Sequence, residues 1–272
     1  MDQVLKKQAF LILTDALFKS TLRLYQEIKR ATAGYGDVFL IYHDKQNPLP
    51  AEAHALAIES FNDTLLTELH YKPIAQGLLP GSNHFPILKF YLEHREYSHY
   101  WCIENDVAYS GRWGDFFAKA NSNPDFDFIS SHIGTYADHP KWDWWKTFKS
   151  PNGSFSMENL YNSFNPIYRI SNSAMNYIDL CLRRGYVGHH EVLFATLLTW
   201  AGFKLADFGN KDNHLTPVLC CCSLSSMRWK PIFFDIGNSA NLLYHPVKAK
   251  ITFKQFLSYV KRNLLRKTKY YD

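Results

Sequence analysis

Apolar residues in the first half of this chain follow two alternating rhythms. Ala9 to Leu13 is a short unbroken apolar run, and Phe18 to Arg30 then repeats apolar residues at helical spacing. Val38 to Tyr42 is a second unbroken run, set off by Gly34 and Gly36 before it and Asp44 after it. The pattern continues with a helix over Phe85 to Leu92, a strand over Tyr100 to Ile103, a helix over Trp113 to Ala120 and a strand over Phe126 to Ser130. Strands without polar alternation, separated by helices, have both faces buried, so the pattern predicts an α/β fold with a parallel sheet between helical layers.

After Ser131 the rhythm loosens. His132 to Asn165 is rich in Trp, Asn, Ser, Pro and Gly and is expected to be a long loop, of the kind that carries function in compact domains. Regular elements are expected again at Ile167 to Ile170 (strand), Ala174 to Arg183 and His190 to Trp200 (helices) and Lys204 to Asp207 (strand). No internal repeat, low-complexity tract or interdomain linker is visible. The 272 residues are expected to form one domain, with a core large enough to need no disulfide or structural metal.

Composition changes this picture in three places. Aromatic residues make up 16% of the chain, enough to line sugar or base platforms as well as the core. The five cysteines, three of them consecutive at 220–222, form no CxxC pair and fit a reducing compartment, so a cytoplasmic protein is expected. The net charge of +5 is concentrated at the C-terminal end, where Lys261, Arg262, Arg266, Lys267 and Lys269 follow apolar residues at helical spacing. Residues 251–272 therefore read as a basic amphipathic helix, either packed on the domain or resting on the inner face of an anionic membrane. No basic stripe or recognisable motif points to nucleic acid. There is no phosphate-binding P-loop, dinucleotide glycine fingerprint or Gly-x-Ser-x-Gly elbow, which disfavours kinase-like, dehydrogenase and hydrolase chemistry.

The segment Tyr100-Trp-Cys-Ile-Glu104-Asn105-Asp106 carries the most chemistry. Four apolar residues run straight into two carboxylates flanking an asparagine. Ligands of open α/β sheets collect beyond the carboxyl ends of the strands, and carboxylates there can hold a hard cation that bridges diphosphate oxygens. A solvated strand-end turn is the plain alternative.

This segment resembles the DxD-type motif of GT-A glycosyltransferases, in particular bacterial enzymes of surface-polysaccharide assembly such as lipopolysaccharide or O-antigen synthesis. In this chain the middle position of the triplet is Asn105. The resemblance implies a GT-A-like (Rossmann-like) domain with a mostly parallel central sheet flanked by helices, a nucleotide-sugar half over 1–131 and an irregular acceptor half with a closing loop over 132–250. It also implies Mn2+ or Mg2+ held by Asp106, with Glu104 assisting through water or holding a donor hydroxyl. Two later segments fit the same family. Gly188-His-His-Glu191 opens an apolar helix as the acceptor-side acidic motif does, and the resemblance makes Glu191 the general base of an inverting transfer. A helix cap, or zinc binding by His189 and His190, are the alternatives. Asn241-Leu-Leu-Tyr-His245-Pro-Val-Lys248 matches a late loop in which His245 completes the metal set and Lys248 offsets phosphate charge; an ordinary His-Pro turn is the alternative. By the same resemblance Thr14 and Asp15, ending the first strand, and Asn83, before the helix expected over Phe85 to Leu92, line the donor pocket; a plain strand-end turn is the alternative for Thr14 and Asp15. Trp144 and Trp145 would stack an acceptor sugar, or else close the loop over the core.

The implied activity is transfer of a hexose-type sugar from a nucleoside diphosphate, with UDP expected, to a glycan or glycolipid acceptor. A non-catalytic sugar-binding or assembly subunit, which Asn105 would favour, and a metal-dependent nucleotide-sugar hydrolase are the competing expectations.

Overall fold

A computed structural model describes residues 7–45, 49, 53, 55–78, 81–209, 219–232, 240–247 and 257. The Lys248 and 251–272 expectations therefore lie outside the described residues, apart from Leu257, which is about half exposed.

The elements are β1 (Gln8–Thr14), α1 (Lys19–Ala31), β2 (Gly36–His43), β3 (Ile58–Phe61), α2 (Leu65–Glu68), α3 (His84–Glu93), β4 (His99–Glu104), β5 (Ala108–Tyr109), α4 (Trp113–Asn121), β6 (Phe128–Thr135), β7 (Tyr161–Ser171), α5 (Asn172–Arg183), α6 (His190–Trp200), β8 (Leu205–Asp207), β9 (Met227–Ile232) and β10 (Leu243–Val247). Short 3-10 turns cover Asp143–Thr147 and Met157–Asn159. The central sheet runs β3-β2-β1-β4-β7-β6-β8, and a small second sheet runs β5-β10-β9.

The apolar runs are buried strands because both sheet faces are covered. Side chains alternate across a strand, so Ala9, Leu11, Tyr100 and Cys102 enter one core with α3, α5 and α6, while Phe10, Ile12, Trp101 and Ile103 enter the other with α1 and α4. Helix α1 turns Thr21, Leu24, Tyr25 and Ile28 inward at helical spacing, and Lys29 and Arg30 sit favourably in its last turn. Close packing fixes Gly36 at the start of β2, since a Cβ there would come within 2.4 Å of the Phe10 ring.

The sheet is parallel except for β7, which pairs antiparallel with both β4 and β6. The sheet is thus mostly parallel, as expected, but hydrophobic spacing does not encode strand direction, so the sequence could not say which strand is reversed. The expected loop from His132 is also shorter. Strand β6 continues to Thr135 and β7 already begins at Tyr161.

Arg169, 1% exposed in β7, shows how the reversed strand is anchored. Its guanidinium donates to the carbonyls of Ala120 (2.8 Å), Asn123 (2.7 Å) and Phe126 (3.0 Å), a cation placed at the C-terminal end of α4. Burial lowers its pKa to about 10, so it stays charged at neutral pH. Arg169→Met leaves these carbonyls unpaired and should cost roughly 3 kcal/mol, read as a lower urea midpoint.

Candidate metal centre and adjoining cleft

Strand β1 has β2 on one side and β4 on the other, so the chain order reverses between β1 and β4. Such a switch point leaves a crevice beyond the carboxyl ends of the two strands. Leu13 stands opposite Glu104 in the β1–β4 register, which puts the acidic triplet at the mouth of that crevice.

Tyr100 to Ile103 are buried, and Glu104 is the first side chain after this run to emerge. The chain then turns sharply, with Val107 N donating to the Glu104 carbonyl (3.0 Å), and Asp106 swings back beside it. Strand β10 lies along this turn. It pairs with β5, and Val247 N donates to the Asp106 carbonyl (2.8 Å). His245 is thereby delivered by a strand, where the sequence suggests a loop. Its Nε2 lies 3.0 Å from Glu104 Oε2 and 3.3 Å from Asp106 Oδ1. One ligand atom from each of the three residues falls within 4.8 Å of the others, the sole such group among the described residues. The zinc alternative at His189 and His190 finds no such third ligand.

The donor set suits a divalent cation. Two carboxylate oxygens with one imidazole nitrogen fit Mn2+ or Mg2+. His245 Nδ1 lies 3.0 Å from the Arg228 carbonyl, which can only accept, so Nδ1 carries a proton and Nε2 faces the carboxylates. Burial depresses the His245 pKa, but hydrogen bonds from its Nε2–H to the Asp106 and Glu104 carboxylates outweigh it and raise the value to about 9. A cation would replace the Nε2 proton.

The middle residue of the triplet takes no part in this set. Asn105 Nδ2 donates to Thr14 Oγ1 (2.9 Å) and Asn105 N to the Leu13 carbonyl (3.1 Å), tying the ends of β4 and β1 together. Thr14 Oγ1 donates in turn to the Ala16 carbonyl (2.6 Å). Asn105→Asp would set a carboxylate against a hydroxyl whose proton is already committed. It should lower stability by about 1 kcal/mol in chemical denaturation, with no gain in Mn2+ affinity by calorimetry.

The remaining candidates divide. Asn83 reaches the centre, its Nδ2 3.4 Å from Glu104 Oε1. Asp15 is half-exposed and paired with Lys45 at 2.6 Å; that lysine holds the Asp15 carboxyl below the usual range, overcoming partial burial. Thr14 has its hydroxyl engaged within the chain, so it braces the strand end. Trp145 is corrected outright. It is 1% exposed, its indole nitrogen donates to the His139 carbonyl (2.7 Å), and it packs edge-on to Trp142, leaving no face for a sugar.

Trp144 and Glu191, in contrast, share a cleft of about 660 Å³ with Arg228, whose carbonyl orients His245. Phe164 also lines the cleft and its ring stands 5.4 Å from that of His245, so the metal centre and the cleft adjoin. Helix α6 begins at the cleft. His189 Nδ1 caps it by accepting from Glu191 N (3.3 Å), so the cap expectation and a role for Glu191 are compatible. Burial lowers the His189 pKa to about 2 and that of His190 to about 4, so both rings are neutral. Gly81 makes room for His189. A Cβ there would come within 2.5 Å of the imidazole. Burial pushes the Glu191 carboxyl up to about 8, opposed by Asn165 N donating to Oε1 (3.2 Å) and reinforced by the Glu104 charge. Asn165 and Arg228 carry no signal in the sequence. Each acts through a backbone group, which leaves no composition or spacing signal.

A protein family described as a protein of unknown function (DUF3405) matches residues 37–125, a stretch that includes Glu104 and Asp106. No curated protein matches the chain in sequence. Among solved structures, a mycobacterial protein is similar at 9% identity and TM-score 0.45, covering 78% of this chain and 69% of its own. A glucosyl-3-phosphoglycerate synthase from Mycobacterium tuberculosis, in complex with Mn2+, UDP and phosphoglyceric acid, is similar at 10% identity and TM-score 0.44, covering 74% and 68%. A putative glucose-1-phosphate thymidylyltransferase from Bacillus anthracis, in complex with a sucrose, is similar at 10% identity and TM-score 0.38, covering 75% and 87%.

Proposed function

We propose that this protein is a metal-dependent GT-A-type glycosyltransferase, moving a hexose-type sugar from a nucleoside diphosphate to a saccharide acceptor. The observation that carries the proposal is the convergence of Glu104, Asp106 and His245 at the switch point of the sheet. A Mn2+ or Mg2+ ion bound there would supply Lewis acidity to a departing diphosphate. Asp106 and His245 hold the ion, and Glu104, braced by Asn83, completes the set. Glu191 takes the acceptor hydroxyl proton in an inverting transfer, and its raised pKa suits a base working near neutral pH. Trp144 offers a ring face to the acceptor sugar. Residues 1–131 are assigned to the donor and 132–250 to the acceptor, with Asp15 on the donor side.

The non-catalytic alternative loses its main support, because Asn105 braces two strands and the cation ligands come from other positions. A UDP-sugar donor and a bacterial surface-polysaccharide setting rest on the sequence resemblance. Among the described residues no helix is long and apolar enough to cross a membrane. Contact of the C-terminal segment with a membrane surface remains part of the proposal.

A thermal-shift panel of nucleoside diphosphate sugars, with and without Mn2+, tests the assignment, followed by product analysis on the best donor. Stabilisation by one nucleotide that requires Mn2+ is expected. Absence of any nucleotide effect with either ion would overturn it, and donor consumption at the same rate without acceptor would replace it with hydrolysis.

A further inference from the structure

The cleft beside the metal centre holds one polar group that the protein itself leaves unsatisfied. Asn162, near the start of β7, is 5% exposed and lines the cleft, and its Oδ1 is buried without a hydrogen-bond partner. Gly134 on the neighbouring strand leaves it just enough room, since a Cβ there would approach that oxygen to 3.2 Å. A buried unpaired amide oxygen costs stability unless a ligand supplies a donor.

Two other groups define what that ligand looks like. Trp144 is half-buried, with His189 stacked on it at 4.5 Å and 26°, which fixes the indole as a flat wall of the cleft. Leu224, also lining the cleft, is 47% exposed although it sits on a turn held by bonds from Ser223 Oγ to Ser225 Oγ (2.9 Å) and from Ser223 N to Ser226 Oγ (3.0 Å). Stacking ring, unpaired acceptor atom and a large apolar side chain held in water form an amphipathic site.

We propose that Asn162 reads a hydroxyl of the acceptor sugar while Leu224 meets an apolar aglycone, so that the acceptor is an alkyl- or lipid-linked glycoside. This rests on the transferase reading for the cleft being the acceptor side. The probes are the n-octyl glycosides of glucose, galactose and mannose, held below their micelle concentrations, and the three methyl glycosides, titrated by calorimetry. At least one octyl glycoside should bind about tenfold or more tightly than its methyl counterpart. Leu224→Ser should erase that ratio. Asn162→Ala should keep the ratio but level the preference among the three sugars, with a melting temperature unchanged or raised because an unpaired oxygen has been removed. Equal binding of octyl and methyl forms, no binding of any glycoside, a ratio that survives Leu224→Ser, or a sugar preference that survives Asn162→Ala would each overturn the proposal. Stabilisation by the panel of nucleoside diphosphate sugars, with Mn2+ or Mg2+ and without either ion, is measured on the same samples. Its presence without an octyl preference sinks this proposal and leaves the transferase reading standing. Its absence alongside the expected glycoside pattern sinks the transferase reading and leaves a glycoside-binding cleft.

Discussion

Asp106→Ala should abolish Mn2+-dependent nucleotide stabilisation and reduce sugar transfer on the order of a thousandfold, equivalent to about 4 kcal/mol of barrier. The size of the effect follows from the geometry. Asp106 is 14% exposed, held in place by the turn after β4 and by the strand carrying His245, so neither solvent nor a mobile neighbour can take over its carboxylate. Asp106→Asn keeps the volume while removing the charge, and should lose most of the same activity; without metal it should also lower thermal stability at neutral pH, because protonated His245 loses one of its two anionic partners. The measurement is a paired titration of Mn2+ at saturating donor, with turnover followed by nucleotide release. A variant that transfers sugar at the wild-type rate would remove Asp106 from the centre.

Glu191→Gln is the second large effect. Turnover should fall about 10²- to 10⁴-fold while Mn2+-dependent nucleotide binding is preserved, because the amide cannot accept the acceptor proton. The pH dependence gives an independent check. In wild type, activity should climb as the carboxyl ionises towards pH 8, and Glu191→Gln should lack that limb. Stability should move the other way. An acid whose folded-state pKa stands above its ordinary 4.5 helps the fold while protonated, so this contribution is complete below pH 4.5 and is lost as pH rises to about 8. The slope is at most about 1.4 kcal/mol per pH unit, and Gln should flatten it in urea melts collected between pH 5 and 8. An unchanged slope would mean that Glu191 ionises freely, and its selection as the base would then lose its physical ground.

What could be read in advance divides along physical lines. Strands β1, β2 and β4 were legible because burial on both faces forces unbroken apolar runs, and Glu104 marks where such a run must stop. Strands β3, β5 and β9 were not, since short strands whose side chains are only partly buried, as in β3 and β5, carry no distinctive run. The direction of β7 was invisible because period-two burial is the same for either orientation. Within the site, Asp106 and His245 were legible as residue types in a familiar order, while Trp144 and Trp145 could not be told apart. Their roles separate only when one indole turns into the core and its neighbour into the cleft. Asn105 stands in a metal motif by sequence and in a strand brace by geometry. Asn162 carried no signal at all, because an unpaired oxygen is a property of packing.

The reversed direction of β7 has a consequence for how this scaffold can change over time. Parallel strands present only their final residues at the rim where ligands gather, and those positions are few. A strand running the other way contributes its opening residues there, and Asn162, Ser163 and Asn165 all belong to that opening stretch. Recognition of one partner molecule can thus drift on β7 while the candidate cation ligands on β4, on the turn after it and on β10 stay fixed.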